Sequence, residues 1–335
     1  MIPAILLKRS FYTLPTLVGV IVVVFVLLRV VPGDPIVMMI PSEATPDDIA
    51  RLRAFYGLDG SLLHQFGIYI RNLLTGNLGA SITMKQDVLR LVLGRLPATL
   101  ELAISSITIA LLAGTSLALV STYTRARWLV ALIDGFNSIA LAIPEFLWGL
   151  LLILVFGVLL PWLPISGRYD PAQATSFATG FYLFESVVSG QMAVAAGLAQ
   201  HLLLPALTLA LPLIAVIARV LRSSLQSVMT QDYIDFARVH GFGKLHILLR
   251  YAVPNALLPT LTVTGTHFVF LVGGTVLVEL IFGYPGIGNM LYTAAVNRDL
   301  PLIQGVTIVF AVLFIFFNLV IDLTYGLIDP RVRHR

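Results

Sequence analysis

Few residues in this sequence have the types and spacing that catalysis or metal binding requires. His240 and His246 could ligate a metal ion, but they lie six positions apart and no third ligand accompanies them. A zinc site normally has three or four ligands, so we expect no metal site here. Ser166 follows Pro164 and has no base nearby in the sequence to activate it as a nucleophile.

ATP hydrolysis is also excluded by spacing. The chain has one Gly-Lys pair, Gly243-Lys244. A phosphate-binding P-loop ending at that pair would need Gly at position 238 and Ser or Thr at position 245, where the chain has Arg238 and Leu245. The sequence therefore predicts that this chain does not hydrolyse ATP itself.

Among the acids in or beside long apolar runs, Glu145 and Glu279 are candidates for a functional role. Charged side chains inside a bilayer usually face a protein interior or a water-filled pathway. Each of these acids could line a solute pathway and bind a cationic group such as an ammonium. Each could instead be structural, paired with a backbone amide or an arginine.

A third feature is the polar stretch "DFARVHGFGKLHILLRYAVP", residues 235–254. Thr230 and Asp232 favour a helix start before it, and Gly241 favours a left-handed helix stop. A second helical piece then leads to Pro254. The pattern predicts a firm, protruding elbow, at about residues 223–254, that is suited to contact a partner.

Composition places these residues in a membrane protein. Of 335 residues, 58% are hydrophobic and 11% are charged, whereas soluble domains average about 25% charged. There are no cysteines, which excludes disulfides. The basic residues are scattered between apolar runs, so we expect the lipid bilayer as a partner and no nucleic acid.

Six runs are long enough for the roughly 20 residues that a helix needs to cross a bilayer. Pro144 and Glu145 interrupt the third run, and the stretch 182–200 is either an interfacial helix or an earlier start of the fourth. The predicted spans are about 10–31, 100–123, 131–160, 201–222, 255–280 and 301–325.

The arrangement of charges predicts the topology and the division of the chain. Basic residues in the short loops favour both termini in the cytoplasm, which also places the elbow there. We expect a tail and first span at 1–31, an extracytoplasmic insert with two short helices at 32–99, and a membrane core at 100–335.

The elbow resembles the cytoplasmic signature of ABC-importer permeases, which reads Glu-Ala-Ala, three residues, Gly, nine residues, Ile-x-Leu-Pro. This chain has Asp235-Phe236-Ala237, then Gly241, then Tyr251-Ala252-Val253-Pro254, with both spacings kept. Asp, Phe, Tyr and Val replace the Glu, first Ala, Ile and Leu of the signature.

The match is closer to the oligopeptide/dipeptide branch of that family, where the stretch usually reads Asp-Tyr-x-x-x-Ala-Arg-x-x-Gly. Asp232, Tyr233, Ala237, Arg238 and Gly241 fit it. Further matches run along the whole chain: "VVPGDP", "GNLGASI", "RLPATLELA", "LPISG", "VELIFGYPGIGNML", "RDLPLIQG" and "DPRVR". The chain resembles a B-type permease subunit of a binding-protein-dependent peptide importer.

The resemblance implies an all-α integral membrane protein with six transmembrane helices and the type I ABC importer permease fold, in a bacterial inner membrane. It implies a second permease that is similar to this chain but not identical, two cytoplasmic ATPase subunits that carry ATP and Mg²⁺, and an extracytoplasmic solute-binding protein. The residues implied to contact the ATPase are Asp232, Asp235, Ala237, Arg238, Gly241, Phe242 and Lys244.

The expected function is passage of di- or oligopeptides, with this chain forming half of the pathway and coupling ATPase dimerisation to alternating access. Sister systems of the branch carry glutathione, nickel chelates or other small solutes. A stand-alone secondary transporter is the alternative from another class, and it has no need of a glycine-anchored elbow.

Overall fold

The computed structural model describes residues 15–26, 45, 61–170 and 177–328. These ranges are helical apart from turns and one isolated bridge between Ala80 and Asp87. The helices are α1 (Pro15–Val26), α2 (Leu62–Leu74), α3 (Val88–Tyr123), α4 (Arg127–Ala142), α5 (Glu145–Leu152), α6 (Tyr182–Val188), α7 (Met192–Val228), α8 (Asp232–Val239), α9 (Lys244–His246), α10 (Val253–Ile281), α11 (Ile287–Val296) and α12 (Leu300–Ile328). π-helical turns at Ile153–Leu159 and Ile247–Ala252 extend α5 and α9.

The lengths of these helices fit a protein that crosses a membrane several times. α3, α7 and Leu300–Ile321 of α12 are each long and apolar enough to span a bilayer. Two bent pairs, Arg127–Ala142 with Glu145–Leu159 and Lys244–Leu271 with Gly273–Ile281, also satisfy the requirement when each pair is taken as one span. The first predicted span is described only over α1, so the number of six stays a prediction.

The predicted break in the third span is confirmed. α4 and the helix that follows it meet at an angle of 107°. Ile143 is extended (φ −90°, ψ 125°), as steric conflict with the ring of Pro144 requires. Glu145 therefore opens a new helix and does not lie within a continuous one.

The fourth span begins earlier than the apolar run suggests. Gly190 adopts φ +74°, which separates α6 from α7, and α7 then continues from Met192 to Val228. Pro205 and Pro212 lie inside α7 without ending it. The residues after 190 thus belong to the span, and only α6 is a separate short helix.

One compact unit consists of residues 1–97 and 286–315. Its core contains Val88, Val92, Ile287, Met290 and Val306. The Asp299 carboxylate is fully buried and accepts hydrogen bonds from the Ser81 hydroxyl at 2.6 Å and from the Thr83 amide at 3.0 Å. α2 confirms the second short helix predicted in the insert, whereas the first, at 45–57, lies outside the described residues.

A second unit consists of residues 98–285 and 316–335, with α7 at its centre. α7 packs against α4, α5, α6 and α10. A Cβ placed on Gly114 of α3 would lie 2.9 Å from the Ile214 carbonyl oxygen of α7. The two backbones approach closely because this residue is a glycine, as is common between membrane helices. Both the elbow and Glu145 belong to this unit.

Candidate functional site

The elbow is built around the turn at Gly241. α8 begins at Asp232, with Asp232 and Asp235 in its first turn, where the helix dipole favours acids. At its end the Phe242 amide donates to the Ala237 carbonyl at 3.3 Å, and the Gly241 amide donates to the Arg238 carbonyl at 3.0 Å. This pair of bonds is a Schellman motif, and Gly241 supplies its left-handed residue with φ +82°. The predicted stop is confirmed.

A small apolar core holds the elbow against the spans. Ile234 and Ala237 of α8 are buried, as are Ile247 and Leu248 of the π-helical turn. They pack in one cluster with residues of three spans, namely Ala118 of α3, Leu221 and Leu225 of α7, and Ala256 of α10. The elbow therefore shares one buried apolar core with three spans.

A second attachment comes from Lys244. Its ammonium donates to the Tyr123 carbonyl at 2.5 Å and lies 5.1 Å from the centroid of the Tyr123 ring. Tyr123 is the last residue of α3, so a cation occupies the end of the helix that its dipole makes negative. The sequence-based expectation that Lys244 contacts the ATPase competes with this intramolecular bond.

The outward side of the elbow is apolar with a charged border. Phe236 is 66% exposed and Val239 is 86% exposed. Tyr233, Phe242 and Leu245 are also exposed, although their side chains are large and apolar. The charged border includes Asp232 and an ion pair of 2.7 Å between Arg238 and Asp235. Several large apolar side chains exposed together at a protein surface are typical of a protein interface.

Glu145 lies in a cavity of about 360 Å³. The other residues that line it are mostly apolar and come from α4, α7 and α10, with His267 as the second polar group. The Glu145 carboxylate lies beside Gly274, 3.8 Å from where a Cβ of that residue would be. The break at Pro144 thus brings an acid to an accessible, mainly apolar cavity.

Glu279 has different surroundings. Its side chain is fully buried, and its Oε1 accepts a hydrogen bond from the Thr99 hydroxyl at 2.7 Å. Its backbone carbonyl accepts from the Tyr284 amide at 2.8 Å. The structure does not bring Glu279 and Glu145 into one cavity, and the surroundings of Glu279 favour the structural alternative.

A buried ion pair escaped the sequence analysis. Arg168 Nη2 donates to Glu101 Oε2 at 2.6 Å and to the Gly180 carbonyl at 2.6 Å. The other oxygen of Glu101 accepts from the Leu183 amide at 2.9 Å. Glu101 lies in the apolar run of α3, which was a possible signal, but nothing local indicated Arg168, 67 residues away, as its partner.

The histidines singled out in the sequence do not form a metal site within the described ranges. Within residues 15–26, 45, 61–170 and 177–328, no group of three or more His, Asp or Glu side chains could hold a metal ion. His240 bonds to the Phe236 carbonyl at 2.9 Å and His246 stacks on Phe242, so each ring has a local contact.

Comparison with protein families gives two matches that together cover nearly the whole chain. Residues 90–334 match the family described as "Binding-protein-dependent transport system inner membrane component". Residues 2–103 match the family described as the N-terminal part of the membrane component of such transport systems. The elbow, Glu145 and the Glu101–Arg168 pair all lie in the first of these regions.

Curated relatives match over their full length. A dipeptide transport system permease protein of Alkalihalophilus pseudofirmus is 34% identical, over 98% of both chains. A di/tripeptide transport system permease protein of Pseudomonas aeruginosa is 38% identical, also over 98% of both. A probable D,D-dipeptide transport system permease protein of Escherichia coli is 37% identical, over 98% of this chain and 97% of its own.

Proposed function

Because this chain belongs to the family of binding-protein-dependent transport system inner membrane components, which are permeases and not enzymes, we propose that it forms half of an ATP-driven import pathway for di- or oligopeptides. Full-length similarity to permeases named for dipeptides and tripeptides supports the peptide substrate. The other half is a second permease that is similar but not identical. A solute-binding protein delivers the peptide from outside the inner membrane.

The elbow is where the ATPase docks. Its outward side carries Phe236 and Val239 in water, and a protein groove would bury them. Its inward side shares the core of three spans. This combination, an apolar outer face joined to the spans by a buried core, is the observation that carries the proposal. ATP and Mg²⁺ then belong to the docked subunits, and both termini of this chain lie with the elbow in the cytoplasm.

Roles within the elbow follow from position. Asp232, Asp235 and Arg238 border the apolar face and give a partner charges to recognise. Ala237 and Gly241 shape the turn, and Phe242 contributes to the exposed surface. Lys244 fastens the elbow to α3 through the Tyr123 carbonyl, so its contribution to docking is indirect.

Glu145 is proposed to line the solute pathway. An acid in an accessible cavity between spans would be costly against lipid, whereas a pathway or the second permease would supply water or a polar partner. The cavity of about 360 Å³ has the size of a small-ligand site. Its one carboxylate suits the ammonium of a peptide, and its apolar walls suit a side chain. Glu279 is fully buried, which supports a structural role in preference to a pathway role.

Co-purification from native membranes in a mild detergent tests this function. We expect the wild-type chain to retain stoichiometric ATPase subunits and a second permease. Gly241→Val forces a β-branched residue to φ +82° and should distort the elbow. We expect that variant to insert normally but to lose ATPase and transport.

Gly243→Val is the matched control. Gly243 has φ −68° and ψ 153°, which suit any residue, and a Cβ there meets nothing within 4 Å. It should behave as wild type. If wild type purifies alone, or if Gly241→Val keeps both its ATPase and its transport, the elbow does not couple this chain to an ATPase.

A further inference from the structure

A polar cavity lies between α4 and α7, near the end of α7 that leads into the elbow. Its volume is about 360 Å³. Asp134, Asn137 and Ser138 line it from one face of α4, at helical spacings of three and four. Arg219, Arg222 and Gln226 line it from one face of α7 at the same spacings. Neither the ATPase-docking role nor the role of Glu145 uses this cavity.

The cavity carries an excess positive charge. Arg222 Nη1 donates to Asp134 Oδ1 at 2.5 Å, so these two charges compensate each other. Arg219 has no acidic partner among the residues that the structure describes. One guanidinium at the cavity is therefore available to an anion.

Asn137 places a buried amide side chain at this cavity. Its side chain is 5% exposed, and its Oδ1 has no hydrogen-bond partner within the described part of the chain. A buried polar group without a partner is unfavourable. Because Oδ1 is the enclosed atom of this amide, Nδ2 is the end of the side chain that can donate into the cavity that Asn137 lines.

The neighbouring cavity shows what kind of molecule would fit. Leu141 lies one turn along α4 from Asn137 and Ser138, and Val216 lies one turn along α7 from Arg219. Leu141 and Val216 line the mainly apolar cavity that contains Glu145. An occupant with an anionic end at Arg219 would thus have apolar surface beside its body.

We propose that Arg219 and Asn137 form a binding site for the oxyanion end of an amphipathic molecule. Arg219 supplies the charge and the paired donors that phosphates and carboxylates prefer, and Asn137 supplies a further donor. Two sources share this chemistry: the phosphate of an anionic lipid headgroup, since basic pockets between spans bind such groups, and the carboxylate of a small peptide.

The test uses the full chain purified with its partner subunits in detergent. Its thermal unfolding midpoint is measured against dioctanoyl phosphatidylglycerol, dialanine and, as a neutral control, dioctanoyl phosphatidylcholine. A rise with phosphatidylglycerol alone identifies a lipid phosphate, a rise with dialanine alone identifies a carboxylate, and a rise with both identifies an oxyanion site that accepts either.

Two substitutions localise the effect. Arg219→Gln removes one charge-assisted interaction and should raise the half-saturating concentration roughly tenfold or more, whereas Arg219→Lys should recover part of the affinity. Arg125→Gln removes an exposed charge outside the cavity and should change nothing. The site is disproved if neither phosphatidylglycerol nor dialanine raises the midpoint of the wild type, or if Arg219→Gln responds as the wild type does. Either result leaves ATPase docking at the elbow untouched.

Discussion

The Lys244 ammonium lies 2.5 Å from the Tyr123 carbonyl oxygen, which joins the elbow to the last residue of α3. The 121 positions between the two residues show that this is a tertiary contact. It fixes the second half of the elbow to a span other than the two that the elbow connects. Lys244 thereby attaches the elbow to α3, in addition to its chain connections with α7 and α10.

We expect Lys244→Met to uncouple transport without removing the docking face. Met retains most of the apolar stem but leaves the Tyr123 carbonyl without its cationic partner. A hydrogen bond to a charged group contributes about 1.5–3 kcal/mol to stability. Because Lys244 is exposed, we expect its bond to the Tyr123 carbonyl to contribute an energy near the lower end of that range. The measurement is the ratio of solute uptake to ATP hydrolysis, which should fall, while the ATPase still co-purifies. Lys244→Arg should restore the ratio, and an unchanged ratio in Lys244→Met would contradict the role.

The buried pair of Glu101 and Arg168 should be needed for stability. Glu101→Gln leaves the Arg168 charge buried beside a neutral amide, which typically costs about 3–5 kcal/mol. We expect a clear drop in the thermal unfolding midpoint and in the yield of the purified chain. Asp134→Asn is the control, because its ion pair with Arg222 is partly exposed and worth at most about 1 kcal/mol. Equal drops in the two variants would show that Glu101 and Arg168 do not act as a buried pair.

Glu185 should make the loop that precedes α6 sensitive to acid. Hydrogen bonds from the Ala178 amide, the Thr179 hydroxyl and the Thr179 amide lower the pKa of this carboxyl below its ordinary value of 4.5. Because the folded-state pKa is depressed, the stabilisation is complete above about pH 4.5 and is lost as pH falls through the folded-state pKa. Hydrogen-exchange protection of the Ala178 and Thr179 amides should therefore fall at acidic pH.

The control for this effect is Glu185→Gln, which cannot ionise and should show low protection that does not change between pH 6 and pH 3 after correction for intrinsic exchange. Wild-type protection that stayed constant over the same range would mean that the carboxylate does not order the loop.

Glu145→Gln should impair dipeptide transport without affecting assembly of this chain with the ATPase and the second permease. The substitution keeps the size of the side chain but removes the charge proposed to meet a peptide ammonium. We expect uptake of a dipeptide to fall at least several-fold, while the ATPase and the second permease still co-purify. Glu185→Gln, an acid outside the cavity, should leave uptake unchanged at neutral pH. Normal uptake by Glu145→Gln would exclude this carboxylate from the pathway.

The elbow could be predicted from sequence because its determinants are local. Gly241 is needed where an L-residue would be strained, and the polar residues around it cannot lie in hydrocarbon. The break at Pro144 was predictable for the same reason. The start of α7 was not, since an apolar run rich in Gly and Ala does not reveal which glycine adopts positive φ.

The tertiary contacts between helices could not be predicted as well from the sequence. Glu101 pairs with Arg168, and Glu279 accepts from Thr99, 180 positions away. Such pairs depend on how the helices pack, and periodicity along one helix does not contain that information. The intramolecular bond of Lys244 was missed for this reason, although the residue itself was recognised as part of the elbow.

Docking of an ATPase on the elbow can be tested directly because the chain has no cysteine. A single Val239→Cys, at a position that is 86% exposed on α8, can carry a maleimide-linked photo-crosslinker in the assembled importer. Val188→Cys, 71% exposed on α6, is the matched control. We predict a covalent adduct with the ATPase from position 239 and none from position 188. A functional importer that gave no ATPase adduct from position 239 would contradict the account.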